Sequence, residues 1–231
     1  MVLNDEYNQR VADVKAFYEV LQFLDSVETY KNKPIEDTNT SRSLMLTRNM
    51  QKCLRAEAII VLYNLIESTF SNCVFYVYDN IKDEKLYYGN LISELRDIWF
   101  REKIHSKLSL DNARKISQRI ADTLTSELIE FKELPSDISG NLDLRKIISI
   151  SQKIGVKLER IPDVKRTGDV FLSIKSKRND LAHGNKSFSE VGSLLTYNDL
   201  VDYKEKTLIF LNFIIYKYQE FVSLKKFKIL S

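Results

Sequence analysis

Glycine and proline are scarce in this 231-residue chain, at six and three copies. Sandwiches and barrels need many tight turns, so the shortage argues against them and for long helices with few breaks. Cysteine is equally rare. Cys53 and Cys73 fall on one expected helix, where twenty residues span roughly 30 Å, far beyond disulfide reach. Reduced thiols and a cytoplasmic location follow as expectations. No zinc-type Cys/His spacing or carboxylate cluster occurs, so neither a metal nor another cofactor is expected. A strong excess of one charge is also missing. The net charge of +3 neither demands nor excludes a nucleic-acid partner, because binding depends on local patches.

The N-terminus is polar and acidic before any apolar run, so no secretory signal is expected. Ala58 to Tyr78 is the one stretch apolar enough to suggest a membrane span. It carries Glu67, Asn64, Ser68, Ser71 and Asn72, which favours a buried core helix and no membrane.

Helical periodicity dominates what is present. A first helix is expected from Glu6 to Tyr30, with Val14, Phe17, Leu21 and Leu24 inward. Pro34 to Ser41 reads as a loop, and Ser43 to Asn80 as a long central helix. A third helix covers Leu86 to Lys107. Ser109 caps a fourth, with Ala113, Ile116, Ile120, Leu124 and Leu128 as its stripe, ended by Pro135 and Gly140. Asp143 to Gly155 is a shorter helix, and Pro162 to Gly168 a basic loop. Val170 to His183 forms a helix closed by Gly184. Asn198 caps the last, which runs to Lys226 with Leu200, Tyr203, Thr207, Leu211, Ile214 and Tyr218 on one face. No strand stands out and linkers are short, so the reading is one all-α domain over 1–231, a single helical bundle with long core helices.

Chemistry concentrates in Arg178-Asn179-Asp180-Leu181-Ala182-His183-Gly184. Arginine can stabilise a phosphorane-like transition state, and histidine can move a proton near neutral pH. Together they could cleave RNA without a metal. Asn179 and His183 share a helix face, whereas Arg178 sits about 140° from His183, so one copy does not close a site neatly. Two copies across a symmetry axis would. Lys165, Arg166, Lys175, Lys177 and Lys186 flank the cluster, with Asp169 and Asp180 the only nearby acids. Lys175, Lys177 and Lys186 are the candidate RNA contacts; the plainer reading of such a run is a solvated face. The other histidine, His105, belongs to no motif.

RNDLAHG resembles the Arg–x4–6–His signature of the HEPN superfamily (higher eukaryotes and prokaryotes nucleotide-binding domains). LYNLIEST at Leu62 to Thr69, SGNLDLRKI at Ser139 to Ile147 and LSIKSKRNDLAHGNKSFSEVGSLLTYNDL at Leu172 to Leu200 resemble its MAE-type branch of HEPN-like nucleases. The resemblance implies a helical bundle that dimerises into a metal-independent ribonuclease of the toxin or phage-defence type. A restraining antitoxin or regulatory partner is also implied. By position, Arg178 would stabilise the transition state, His183 would act as acid and base, and Asn179 would orient the phosphate or the catalytic side chains. Asp180 and Gly184 would support them. Glu67 matches an acid often found on this helix; it is either a partner of Arg178 or His183 or a purely structural ion pair. Ser187, Phe188 and Glu190 match the branch and would shape a loop over the pocket. Lys186 stands where a regulatory tyrosine would complete an HxxY tail, so nucleotidylation there is not implied. The competing function is a non-catalytic module that binds RNA, a nucleotide or a protein.

Overall fold

The computed structural model describes residues 3–27, 34–37, 39, 40, 42–105, 121–134, 138 and 140–229. In order they form α1 (Leu3–Val27), β1 (Ile35–Glu36), β2 (Ser43–Leu44), α2 (Arg48–Asp83), a 3-10 turn (Tyr88–Asn90) and α3 (Ser93–His105). Then come α4 (Leu144–Ile154), α5 (Val164–Ala182), α6 (Phe188–Ser193) and α7 (Tyr197–Ser223). Residues 121–126 are also helical. The fold is all-α. Its one sheet among the described residues is the antiparallel β1–β2 ribbon, pairing Ile35 with Leu44 and Glu36 with Ser43. That ribbon occupies part of the expected loop and delays the long helix from Ser43 to Arg48.

The chain groups into two compact units. Among the described residues, one comprises 3–68 and 163–210, the other 69–162 and 211–229. The divisions at 68/69 and 210/211 fall inside continuous helices, α2 and α7, and the one at 162/163 falls in the turn before α5.

The first unit is built on apolar stripes at helical spacing. Leu3, Tyr7, Val14, Tyr18 and Leu21 are buried along α1. Phe17 and Leu24, expected inward, are only half-buried; Tyr18 takes the seam. Val170, Phe171 and Ile174 line the inner face of α5, and Phe171 meets Phe210 edge-on at 5.0 Å between ring centroids. Each such side chain removed from water contributes about 1.5–3 kcal/mol before the entropy of ordering is charged.

The second unit buries Trp99, Ile147, Ile150, Ile214 and Phe221. Tyr218 and Ser151 share a buried hydroxyl contact at 3.0 Å. Asp143 accepts from the Lys146 N–H and caps α4, while Gly155 ends it at φ +94°, both as expected. Here the structure departs from the third expected helix. Leu86 to Ile92 is not α-helical, because Asn90 Oδ1 accepts the Tyr87 N–H and Arg96 donates to the Tyr88 and Gly89 carbonyls. The fourth helix ends at 126, before Pro135 and Gly140; Leu128 is exposed in a bridge to Tyr87, and Ile129 is buried instead. Ser109, Ala113, Ile116, Ile120, Pro135 and the side chain of His105 lie outside the described residues, as does Tyr30.

α2 is long and apolar enough to cross a membrane by length and composition. Its central side chains, among them Ile59, Leu62, Ile66, Phe70, Val74 and Val77, are buried within the protein, as in a core helix. Cys53 and Cys73 are both free thiols on this helix, and burial pushes the Cys73 thiol well up.

Candidate active site

Of the expected loop from Pro162 to Gly168, everything from Val164 onward is helix. α5 starts at Val164, with Asp163 before it in the left-handed region at φ +41°. One base and one acid of this stretch are held by opposite charges on α7. Arg166 donates to Asp202 at 3.1 and 2.5 Å, and Lys206 pairs with Asp163 at 2.6 Å. The Lys206 hydrogen bond holds the Asp163 carboxyl below the usual aspartate range, and the bond to Asp202 raises Arg166. Gly168 sits inside the helix.

Thr167, Val170, Phe171 and Ile174 form the buried stripe of α5. Arg178, four residues past Ile174, continues it. Its guanidinium lies over the ring of Tyr63 on α2, 4.7 Å from the ring centroid. Tyr63 is fully buried. Arg178 Nη1 also donates to Asn179 Oδ1 at 3.3 Å. The preceding residue repeats the arrangement on another helix: Lys177 Nζ lies 6.0 Å from the Tyr203 ring centroid and donates to Ser173 Oγ at 2.6 Å. Ser173 Oγ and the Tyr203 hydroxyl are 2.7 Å apart. Two consecutive cations are thus laid on tyrosines of α2 and α7.

His183 is the C-cap of α5 and is exposed. Its N–H donates to Asn179 O at 3.0 Å, so the main chain is fixed while the imidazole faces solvent. Gly184 follows at φ +68°. Its N–H reaches Leu181 O and the Asn185 N–H reaches Asp180 O, the paired bonds of a Schellman stop. Nothing lies within 4 Å of where a Cβ on Gly184 would stand. Gly184→Ala therefore strains backbone only, and urea titration should show a loss of about 1–2 kcal/mol. A cost near zero would mean the turn relaxes freely.

Asp180 turns its carboxylate to Lys186 at 2.7 Å, which holds the carboxyl below the usual aspartate range. That depression means the pair is intact above the ordinary aspartate range and is lost only as pH falls through the lowered value. Lys186 thus has a partner within the chain, as does Lys177, while Lys175 is half-buried on α5. Glu67 is half-buried on α2, four residues beyond Tyr63. Ser187, Phe188 and Glu190 do not shape a loop. They begin α6 in a reciprocal capping box, with Ser187 accepting from the Glu190 N–H and Glu190 accepting from the Ser187 N–H. α7 is capped by Thr196 rather than Asn198: Thr196 Oγ1 accepts the Asp199 N–H and Asp199 accepts the Thr196 N–H.

Asn179 is therefore brought against Arg178, whereas Arg178 and His183 occupy different aspects of the helix end. A separate pocket lined by Leu21, Leu24, Asp25, Gln51, Leu54, Arg55 and Tyr197 includes neither; its Arg55 pairs with Asp25 at 2.6 Å. Tyr63 is the residue that sequence reasoning missed, although it sits in the stretch Leu62 to Thr69.

A family model described as HEPN_MAE_28990-like HEPN matches residues 2–227. No curated protein and no solved structure matches the chain.

Proposed function

The chain belongs to the MAE-type branch of the HEPN superfamily, and on that premise we propose that it is a metal-independent endoribonuclease acting as a homodimer. The observation that carries this reading is an arginine set on a buried tyrosine about one and a half turns before an exposed histidine at a glycine-closed helix end. One copy offers the two groups about 140° apart around α5. Leu172, Asn179 and His183 recur at near-whole turns on one side of that helix, and Leu172 is exposed there. A second copy laid against this side brings a second Arg178 and His183 to a shared site.

In that site the 2′-oxygen of the substrate attacks the adjacent phosphorus. One imidazole takes the 2′-hydroxyl proton as the O2′–P bond forms. The P–O5′ bond breaks, and a protonated imidazole gives the departing 5′-oxygen its proton. Arg178 stabilises the charge gathered on the non-bridging oxygens, and Asn179 steadies Arg178. Lys175, Lys177 and Lys186 guide the RNA backbone toward them. DNA, lacking the 2′-hydroxyl, is not cut. Acting on cellular RNA in the cytoplasm, such an enzyme works as a toxin or phage-defence effector under an antitoxin or regulatory partner.

The test is purified protein with RNA in EDTA. Expected are fragments ending in 2′,3′-cyclic phosphate and 5′-hydroxyl, no cut in matched DNA, and elution at twice the 27.0 kDa chain mass. Salt-sensitive RNA binding without cleavage would instead assign a non-catalytic HEPN module.

A further inference from the structure

We infer that Tyr63 is a positioning residue whose ring holds the Arg178 guanidinium in the orientation that meets a phosphate along its N–H edge; the inference rests on the ribonuclease reading above. An arginine side chain in water samples many rotamers, and each must be given up when it grips a phosphate. Over an aromatic ring the guanidinium spends its face on the ring and keeps its N–H donors in the perpendicular rim. Arg178 Cζ lies over the Tyr63 ring at 4.7 Å from its centroid, within reach of this arrangement. The ring itself is rigidly held, because Tyr63 is fully buried and flanked on α2 by the buried Ile59 and Ile66.

Asn179 supplies the second constraint. By accepting from Nη1 at 3.3 Å it fixes rotation of the guanidinium over the ring. Together the two contacts order the arginine before a ligand arrives, which is where preorganised charge is most effective. Lys177 on Tyr203 does not serve the same end, since an ammonium has no plane to orient.

The test compares Tyr63→Phe, which keeps the ring, with Tyr63→Leu and Tyr63→Met, which keep apolar bulk without it. Thermal melts establish that each is folded. Cleavage is measured as kcat and KM, and binding by anisotropy of a labelled, non-cleavable 2′-O-methyl oligoribonucleotide. Tyr63→Phe should stay within about twofold of the parent. The ringless variants should lose about tenfold or more in kcat with less change in KM, and about tenfold in oligonucleotide affinity. In an Arg178→Ala background the Tyr63 substitutions should weaken binding no further. Folded ringless variants that bind and cleave like the parent overturn the inference. So does an affinity loss of equal size with and without Arg178, the mark of a merely structural role. A parent that binds but does not cleave fails the ribonuclease reading alone, and the binding comparison then decides Tyr63. A parent that does neither overturns both.

Discussion

His183→Ala should lower kcat for RNA cleavage by about 100- to 10,000-fold, the usual worth of a positioned proton donor and acceptor. Arg178→Ala should cost about 100- to 1,000-fold by removing preorganised charge from the phosphoryl oxygens. Both should abolish growth inhibition on expression. Neither loss is expected to reflect unfolding. His183 is exposed and its structural hydrogen bond is made by its backbone, which alanine retains. Arg178 is half-buried and gives up its contacts with Tyr63 and Asn179, so a small fall in melting temperature is expected there. The double variant should be little worse than the worse single one, because residues acting in one step are not additive. Variants that cut RNA at the parental rate would remove both residues from the chemistry.

The largest expected effect on stability comes from Gly192→Ala. Gly192 is buried in α6. A Cβ there would stand 1.8 Å from the Lys52 carbonyl oxygen and 2.5 and 2.8 Å from the Lys52 carbonyl carbon and Cα. All three are main-chain atoms of a long helix, so no side chain can swing aside. α6 must lift from α2, disturbing the burial of Val191, which is fully covered. Overpacking of this kind costs about 3 kcal/mol or more, roughly a 10 °C drop in melting temperature for a chain of this size. Gly89→Ala is the control. Nothing lies within 4 Å of its added methyl, and a change within about 0.5 kcal/mol is expected. Equal melting temperatures for the two variants would mean that α6 is free to shift.

The long helices were legible because burial imposes a 3.6-residue period wherever a helix faces a core. Leu200, Thr207, Leu211, Ile214 and Tyr218 of α7 are buried as that period demands. Legibility failed where side chains rather than periodicity decide local structure. Pro162 to Gly168 has the composition of a loop, yet Arg166 and Lys206 reach across to Asp202 and Asp163 and the helix starts early. Leu86 to Ile92 reads as the opening turns of the third helix, yet its Gly89-Asn90 pair breaks the run and Asn90 and Arg96 capture the backbone. Glycine caps were read correctly at Gly155 and Gly184 because a left-handed residue at a helix end is nearly a glycine monopoly. Within the candidate site, Arg178 and His183 drew notice by type and spacing, but it was the resemblance to the HEPN signature that singled them out together with Asn179. Tyr63 was not singled out. A tyrosine in an apolar helix is core by default, and only the packing of α5 on α2 determines which cation lands on it.

The pairing of Lys186 with Asp180 has a consequence for how salt would weaken RNA binding. A lysine that trades water and mobile ions for a phosphate liberates a counterion, and each such release steepens the decline of affinity with ionic strength. Lys186 already keeps a fixed carboxylate beside it. When it turns to a phosphate it exchanges one anion for another, and the freed Asp180 recruits a cation from the buffer. On the ribonuclease reading proposed above, the logarithmic salt slope for RNA binding should therefore be shallower than a tally of the lysines and arginines on this surface implies.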